Sequence, residues 1–321
     1  MDRAYLKEKI KQTPILWKCI HYLVVPPMRS YFRYFPVQPG KQALWRSISP
    51  HTNWLESWAD VETVFGSKIR VHSNDDVGRC IYYFGVWEPN LTAWITRSLS
   101  PGDTFVDVGA NIGYFSLLAA GLVGKQGSVV SIEAVPDTCK LLSSNLRLNG
   151  SDNVRVVATA AWDSIGSLDF FIPSDGISGT ATAVKDWAER WYHETKVSVP
   201  CAPLSSILTK EEIKSARIVK IDIEGAEWNV IPGITELLQC GRQDLEIALE
   251  VTPESRPSGQ SCADICHIFE KFGFHPYQIE NVYGNLAFSS LCPVSPPRRV
   301  REIPEDKQSD IVFSRRDVDV L

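Results

Sequence analysis

The feature that most constrains the fold of this chain is a regular alternation of short apolar runs with longer amphipathic segments after residue 103. Strands joined by helical segments pair in parallel, with helices covering both faces of the sheet. We therefore expect an α/β fold with a mostly parallel sheet. The predicted strands are Thr104–Val108, Ser128–Glu133, Val154–Ala158, Ser167–Ile172, Ile218–Ile223, Leu245–Val251 and Ser309–Phe313, and the predicted helices are Ile112–Leu122, Pro136–Leu148 and Cys262–Phe272.

The segment ahead of this alternation has a different character. Residues 1–60 are rich in Trp, Tyr and Pro and lack the rhythm, which predicts a helical N-terminal extension before one domain over residues 61–321. Lys68–His72 and Arg79–Phe84 are predicted to form a β-hairpin around an Asn-Asp-Asp turn. Leu91–Leu99 is predicted to be a helix.

The charge balance and the distribution of cysteines indicate which classes of protein this sequence fits. The balance of 33 Lys and Arg against 38 Asp and Glu gives a net charge of −5, so no global field attracts nucleic acid. The 8 cysteines are scattered, which favours reduced thiols in a cytoplasmic protein. Lys18 and His21 interrupt the apolar run Pro14–Pro27, so this segment is predicted to cap the main domain, with a peripheral membrane contact as the alternative.

A glycine-containing turn joins the first predicted strand to its helix, as Asp107-Val108-Gly109-Ala110-Asn111-Ile112-Gly113. Gly109 permits a turn that a Cβ atom disfavours, and Gly113 lets the helix approach the sheet. The N–H groups at the start of the helix are expected to face a crevice at this edge. Glu133 ends the next strand, where nucleotide-binding folds place the carboxylate that accepts ribose hydroxyls. These features predict a ligand that carries a nucleoside.

The same turn discriminates between nucleoside cofactors. A dinucleotide site requires G-x-G-x-x-G, and Asn111 stands where its second glycine would be. The turn suits a ligand without phosphates, and S-adenosylmethionine satisfies this condition because its ribose needs a carboxylate and its sulfonium tolerates nearby acids. Asp107 could hold its ammonium group directly or through water.

Two longer motifs resemble those of a known family. Pro101–Ser116 resembles the first motif of the FkbM family of S-adenosylmethionine-dependent methyltransferases, and Val219–Glu227 resembles the second. Trp87-Glu88-Pro89 and Asp310–Phe313 are also similar to family segments. The resemblance spans roughly residues 65–315. It implies a Rossmann-like class I methyltransferase fold, with a seven-stranded, mostly parallel sheet whose last pair is an antiparallel hairpin.

The resemblance also implies an activity, methyl transfer to a hydroxyl of a sugar or natural product. Transfer to an amide nitrogen of a peptide and a non-catalytic, nucleoside-binding role are the alternatives. The expected partners are a small-molecule, saccharide or peptide acceptor and no nucleic acid, and a homo-oligomer is left open. The predicted cofactor-binding residues are Glu88, Asp107, Gly109, Ala110, Asn111, Gly113, Tyr114, Glu133, Ala134, Asp163 and Asp222.

An acidic cluster follows the strand at Ile218–Ile223. Asp222, Glu224 and Glu227 lie at the strand end that faces the glycine turn, and we predict them as catalytic residues. An alcohol is a weak nucleophile, so a carboxylate that accepts its proton accelerates methyl transfer. Two alternatives remain: Glu224 or Glu227 caps the following helix, or the cluster binds a divalent cation together with Glu250. No metal is predicted.

The segment Ser174–Val199 is long for a connection within a compact domain. It contains Trp187, Trp191 and His193, which we predict as substrate-contacting residues. An ordinary amphipathic helix, with the two Trp side chains packed one turn apart, is the alternative.

Overall fold

The computed structural model describes residues 23–35, 40–52, 58–73, 75–172, 182–183, 195–280 and 294–321. The chain divides into two compact units, one formed by Met1–Glu88 with Gly284–Pro293 and the other by Pro89–Tyr283 with Val294–Leu321. Within the described ranges, no helix has the length and apolar character that a membrane span requires.

The first unit combines helices with a two-stranded antiparallel sheet. Its aromatic core joins Phe32 and Trp45 to Tyr83 and Phe84, with ring centroids 4.9–5.5 Å apart and edge-to-face geometry. The guanidinium of Arg33 donates to the carbonyls of this unit's other segments. The elements are α1 (Val25–Tyr34), α2 (Lys41–Thr52), β1 (Trp58–Glu62), β2 (Lys68–His72) and α3 (Asp76–Phe84). The predicted helical character of the N-terminal part is confirmed.

The predicted hairpin in this unit is wrong in its second strand. Arg79–Phe84 lies in α3, and β2 pairs with β1 instead. Asp75 is the N-cap of α3, because its side chain accepts a hydrogen bond from the backbone N–H of Gly78. Gly85 ends the helix with a φ of 76°, the left-handed conformation of a helix C-cap.

The second unit carries the predicted alternation. Its helices are α4 (Pro89–Ser98), α5 (Tyr114–Val123), α6 (Pro136–Leu148), α7 (Leu204–Ile207), α8 (Lys210–Ser215), α9 (Glu227–Val230), α10 (Thr235–Cys240) and α11 (Cys262–Glu270). Its strands are β3 (Thr104–Val108), β4 (Ser128–Ile132), β5 (Val154–Val157), β6 (Ala160–Ala161), β7 (Gly166–Ile172), β8 (Thr195–Ala202), β9 (Ala216–Ile221), β10 (Glu246–Val251), β11 (His275–Ile279), β12 (Arg298–Arg299) and β13 (Ser309–Ser314).

The main sheet has the strand order β12-β11-β13-β10-β9-β3-β4-β5. The strands from β10 to β5 in this order are parallel, and β13 runs antiparallel between β10 and β11. The predicted Rossmann-like fold, mostly parallel with an antiparallel last pair, is therefore confirmed. An eighth strand of two residues, β12, extends the edge beyond the predicted seven.

The predicted strand Ser167–Ile172 exists, but it belongs to a separate three-stranded sheet in the order β6-β8-β7. Alternating polarity identifies a strand and does not say which sheet it joins. The central strands β3, β9 and β10 are almost entirely buried, as strands covered on both faces must be. Their carboxyl ends meet at one edge of the sheet.

Candidate functional site

Strand register places polar side chains in two rows across one face of the main sheet. Asp107 on β3 pairs with Ser131 on β4 and with Lys220 on β9, and we call these three residues the inner row. Two residues further along each strand, at the carboxyl edge, lie Glu133, Gly109 and Asp222. Paired residues, and residues two apart in a strand, project to the same face. Charged groups of both signs therefore converge where parallel sheets bind ligands.

The second row continues on the neighbouring strands. Glu250 on β10 pairs with Asp310 on β13, one position beyond the pair formed by Leu249 and Ile221. We call Glu133, Asp222, Glu250 and Asp310 the carboxylate row. Gly109 stands within it, between Glu133 and Asp222.

The first member of the inner row, Asp107, is completely buried. The Ser131 hydroxyl donates to the Ser116 Oγ at 2.7 Å, and the Ser116 hydroxyl donates to Asp107 Oδ2 at 2.6 Å. Burial raises the pKa of Asp107, while Lys220 and the bond from Ser116 act in the opposite direction. Asp107 Oδ1 lies 3.7 Å from Lys220 Nζ. Asp107 therefore holds the side chains of Ser116 and Lys220 in place at the inner end of the site.

The glycine turn passes extremely close to the end of β9. A Cβ atom built on Gly109 would lie 1.8 Å from the carbonyl oxygen of Asp222, and the φ of Gly109 is 76°. A Cβ on Gly113 would lie 2.6 Å from Leu142 Cδ1 on α6. Both predicted glycine positions are therefore required by close approach as well as by backbone conformation.

Several N–H groups of the turn bond within the protein. Those of Gly109 and Ala110 donate to the Ile132 carbonyl at 3.0 Å, and that of Gly113 donates to the Ala110 carbonyl at 2.9 Å. The Asn111 N–H donates to Glu133 Oε2 at 2.8 Å. These bonds hold the turn against β4 and Glu133, and the expectation that N–H groups at the start of the helix face a crevice stays a prediction.

Glu133 is 8% exposed and connects the turn to its own strand. Its Oε2 accepts the Asn111 N–H, and its Oε1 accepts the Val135 N–H at 2.9 Å. Burial raises the pKa of Glu133 to about 7, although these backbone bonds favour the ionised form. A carboxylate oxygen accepts more than one hydrogen bond, so both oxygens keep acceptor capacity for a pair of hydroxyls.

Lys220 is a buried lysine that the sequence analysis did not select. Its Nζ donates to Asp222 Oδ2 at 3.0 Å, lies 3.7 Å from Asp107 Oδ1 and lies 5.3 Å from the ring centre of Phe115. It thus connects the inner row to the carboxylate row. A signal existed, because a lysine in the centre of an apolar strand must be paired when that strand is buried on both faces.

The three predicted catalytic residues occupy different environments at the end of β9. The side chain of Asp222 is 25% exposed and bonds to Lys220. Glu224 has a φ of 53°, and its carbonyl accepts the Thr182 hydroxyl at 2.8 Å. Glu227 is completely buried, and its Oε1 accepts the N–H groups of Ile223 and Gly225. Asp222 and Glu224 are both half-buried, and of the three residues only Asp222 belongs to the carboxylate row.

Two further glutamates near Asp222, Glu227 and Glu250, are buried. Burial and the charge of Asp222 raise the pKa of Glu227 to about 7. Burial raises the pKa of Glu250 well above its ordinary value, and the charges of Asp222, Glu224, Asp310 and Glu227 add to the effect. The Oε2 atoms of Glu227 and Glu250 are buried and have no hydrogen-bond partner among the described residues. The edge therefore carries an excess of carboxyl groups over cations.

The other predicted residues are distributed as follows. Tyr114 is buried, and its hydroxyl accepts from Thr92 Oγ1 at 3.3 Å. Asp163 is exposed in the turn after β6 and accepts from Ser164. Glu88 is buried at the end of the first unit with a φ of 39°. Trp187, Trp191 and His193 lie outside the described residues.

Ala134 lines a cavity of about 480 Å³ that runs along one side of α6. Ala158, which follows β5, and Val199 of β8 contribute to its walls. Since Ala134 directly follows Glu133, the cavity begins beside the predicted ribose-binding carboxylate.

Three further residues hold the site in place without an obvious sequence signal. Asn145 is buried on α6 and donates to the Ile112 carbonyl at 2.8 Å, which fixes the glycine turn from behind. Thr182 forms a bridge with Phe171 on β7 in addition to its bond to Glu224. Asn145, Thr182 and Ser116 become functional candidates through partners that are distant in sequence.

Comparison with known proteins gives a family match. The profile described as the methyltransferase FkbM domain matches residues 107–279. A methyltransferase from Sordaria araneosa, sdnD, is 28% identical over 164 residues, covering 42% of this chain and 62% of that protein. A protein-L-isoaspartate O-methyltransferase from Methanococcus aeolicus is 34% identical over 84 residues, covering 26% of this chain and 38% of that protein. The matches span less than two thirds of either relative.

Solved structures give low overall similarities. The FkbM methyltransferase from Methylobacillus flagellatus KT has a TM-score of 0.40 at 14% identity, covering 73% of this chain and 50% of that chain. Trm5b from Pyrococcus abyssi has a TM-score of 0.41 at 13% identity, covering 81% and 56%. The fold assignment therefore rests on the strand order observed here.

Proposed function

This chain belongs to the FkbM family of methyltransferases, and from that premise we propose that it methylates a neutral hydroxyl group of a sugar or natural product. That the chain is an S-adenosylmethionine-dependent methyltransferase follows from the family itself. The proposal concerns the acceptor and the residues that act on it.

The glycine turn and Glu133 fit the cofactor. The two Glu133 oxygens are held by backbone N–H groups and can each accept a ribose hydroxyl. A side chain at Gly109 would collide with the Asp222 carbonyl oxygen, so glycine lets the turn lie directly against the chain at Asp222. The excess of carboxyl groups along this edge suits a sulfonium cation. When bound, S-adenosylmethionine supplies an electrophilic methyl group.

Replacing Glu133 by Ala is expected to weaken S-adenosylmethionine binding by about tenfold or more, because two charge-assisted hydrogen bonds are lost. Isothermal titration calorimetry measures this change. Asp137→Ala is the matched control, since Asp137 is an exposed acid on the first turn of α6 that pairs with Lys140. Equal affinities for wild type and Glu133→Ala would contradict the ribose-binding role.

The observation that carries the acceptor proposal is the acidic edge itself. A carboxylate acceptor, such as an isoaspartyl group, would bring another negative charge beside Asp222 and Glu224. A neutral hydroxyl brings none, and it needs a base that a carboxylate provides. The acidic edge therefore favours an alcohol over an acid.

We assign the base to Asp222, which is half-buried at the edge and fixed by Lys220. The Asp222 carboxylate would accept the hydroxyl proton as the O–C bond forms and the methyl–sulfur bond breaks, which would leave the donor as a neutral thioether, and the proton would then pass to water. Glu227 is fully buried and accepts backbone N–H groups of the turn, so its proposed role is to shape the turn. Glu224 is proposed to act through its backbone, which connects to Thr182.

The segment around Trp187, Trp191 and His193 is proposed to select the acceptor. Two observations support this. Thr182, within the long connection, bonds to the Glu224 carbonyl beside Asp222. Strands β7 and β8, which flank the connection, pair directly up to Ile172 and Thr195. Both ends of the connection are therefore fixed, and one of its residues is tied to the acidic edge.

We expect Asp222→Asn to lower kcat by about 10²-fold or more with little change in cofactor affinity, because the variant keeps its shape and loses its base. Steady-state kinetics and calorimetry measure the two effects. Asp244→Asn, at a distant surface ion pair, is the control. A variant with wild-type kcat would refute the assignment of Asp222.

The acceptor class is tested with cofactor that carries a labelled methyl group, incubated with extracts of the native host. Alkali releases the label from a methyl ester as methanol and leaves a methyl ether intact. The proposal predicts a label that survives alkali and is attached to oxygen in fragmentation spectra. Label released by alkali, or attached to nitrogen, would overturn it.

A further inference from the structure

We propose that Lys220 is a positioning residue that fixes the orientation of Asp222 for the acceptor hydroxyl. The inference rests on the proposed function, in which Asp222 is the base. Lys220 is 2% exposed, so a ligand at the edge does not reach it. Any effect of Lys220 on methyl transfer must therefore pass through the groups that its ammonium contacts.

The contacts identify those groups. Lys220 Nζ donates to Asp222 Oδ2 at 3.0 Å, which leaves Oδ1 as the oxygen that can face an acceptor. The same ammonium lies 3.7 Å from Asp107 Oδ1, an atom that has no hydrogen-bond partner within the described residues. Two acids from adjacent strands thus share one cation.

Strand geometry explains why the lysine takes this position. Lys220 pairs directly with Asp107 across β3 and β9, and Asp222 follows on the same face two residues later. The lysine is therefore held from the side by one carboxylate and from the edge by the other. The phenyl ring of Phe115 lies 5.3 Å from the ammonium and limits its movement.

The distances from the Lys220 ammonium to its two acids distinguish this role from a purely structural one. Asp107 is completely buried and needs a counter-charge whatever the reaction is. A lysine that served Asp107 alone would have no reason to bond to the more exposed Asp222. The shorter distance, however, is the one to Asp222. The geometry therefore assigns Lys220 a role at the acceptor end as well.

The test uses three variants of the full-length enzyme. Lys220→Met removes the charge and keeps most of the volume. Since a buried unpaired acid can prevent folding, Lys220→Met combined with Asp107→Asn removes both buried charges and leaves Asp222 in place. Lys220→Arg keeps the charge and changes the position of the donors. Thermal unfolding, S-adenosylmethionine affinity and kcat at saturating cofactor are measured for each.

For Lys220→Met with Asp107→Asn, we expect wild-type-like unfolding and a kcat at saturating cofactor lowered by about tenfold or more, because Asp222 is no longer held in one orientation. For Lys220→Arg we expect a lowered kcat with wild-type-like unfolding, because the charge is kept and the donors are displaced.

Two results would overturn the proposal. One is a doubly substituted enzyme that regains wild-type kcat together with its stability, since Lys220 would then serve Asp107 alone. If the charge-removing variants do not fold, a Lys220→Arg enzyme with wild-type kcat is the second. Wild-type activity of Asp222→Asn would instead overturn the assigned base, so the failures of the two proposals are distinguishable.

Discussion

Gly109→Ala is expected to lower the free energy of unfolding by about 3 kcal/mol or more and to abolish cofactor binding. The added Cβ atom would lie 1.8 Å from the Asp222 carbonyl oxygen, and the φ of 76° disfavours any L-residue with a side chain. Overpacking against backbone costs about 1–3 kcal/mol, and the left-handed conformation costs about 1–2 kcal/mol more. Chemical denaturation and calorimetry with S-adenosylmethionine measure the two losses.

The control for this substitution is Gly102→Ala. Gly102 has a φ of 91° with no atom within 4 Å of the added Cβ, so it carries the conformational cost without the clash. We expect a loss of about 1 kcal/mol and unchanged cofactor affinity. Similar stability and cofactor affinity for the two variants would show that the close approach of the turn to Asp222 contributes to neither.

The second large effect is a loss of stability as the pH rises from about 4.5 to about 8. The pKa values of Glu133 and Glu227 are raised to about 7 from 4.5, and that of Glu250 is raised well above 4.5. Above about pH 4.5 the unfolded chain releases protons that the folded protein retains. The stabilisation from these groups is therefore complete below about pH 4.5 and is lost as the pH rises through about 7. Glu133 and Glu227 each contribute up to about 3 kcal/mol to this change.

Urea unfolding at several pH values measures this dependence. The Glu250→Gln variant tests how much of it comes from Glu250. The amide cannot ionise, so we expect a flatter pH dependence and a more stable protein than wild type at pH 8. Glu254→Gln, an exposed position after the same strand, is the control. An identical pH dependence for wild type and Glu250→Gln would show that Glu250 does not retain its proton in the folded state.

The alternation of apolar runs was sufficient to predict the parallel part of the main sheet, because strands buried on both faces leave a continuous apolar signal. The five-residue strand Thr104–Val108 was predicted at its observed bounds. The segment Arg79–Phe84 was not, since its apolar residues suit a helix and a strand equally well. What decides between them is a single capping bond from Asp75, which composition does not reveal.

The candidate site likewise contains residues that the sequence points to and residues that it does not. Gly109, Gly113 and Glu133 could be selected as candidates because they form a pattern within a short stretch of chain, although the atoms that the two glycines approach lie outside that stretch. The carboxylate row depends on register between strands far apart in sequence, as in the pairing of Glu250 with Asp310. Lys220 was missed because Asp107, one of its two partners, lies on another strand. A linear motif contains the residues of such a row but not their neighbours.

The hairpin formed by β7 and β8 has a consequence for protein engineering. Residues 173–194 leave and re-enter the domain at the directly paired positions Ile172 and Thr195. Because loop-closure entropy grows slowly with length, a segment anchored in this way tolerates replacement by a shorter or longer one. The proposed cofactor-binding residues Gly109 and Glu133 follow β3 and β4 of the main sheet, outside this hairpin. Under the proposed role of the segment in selecting the acceptor, exchanging it between relatives is a route to new acceptors on an unchanged methyl-donor site.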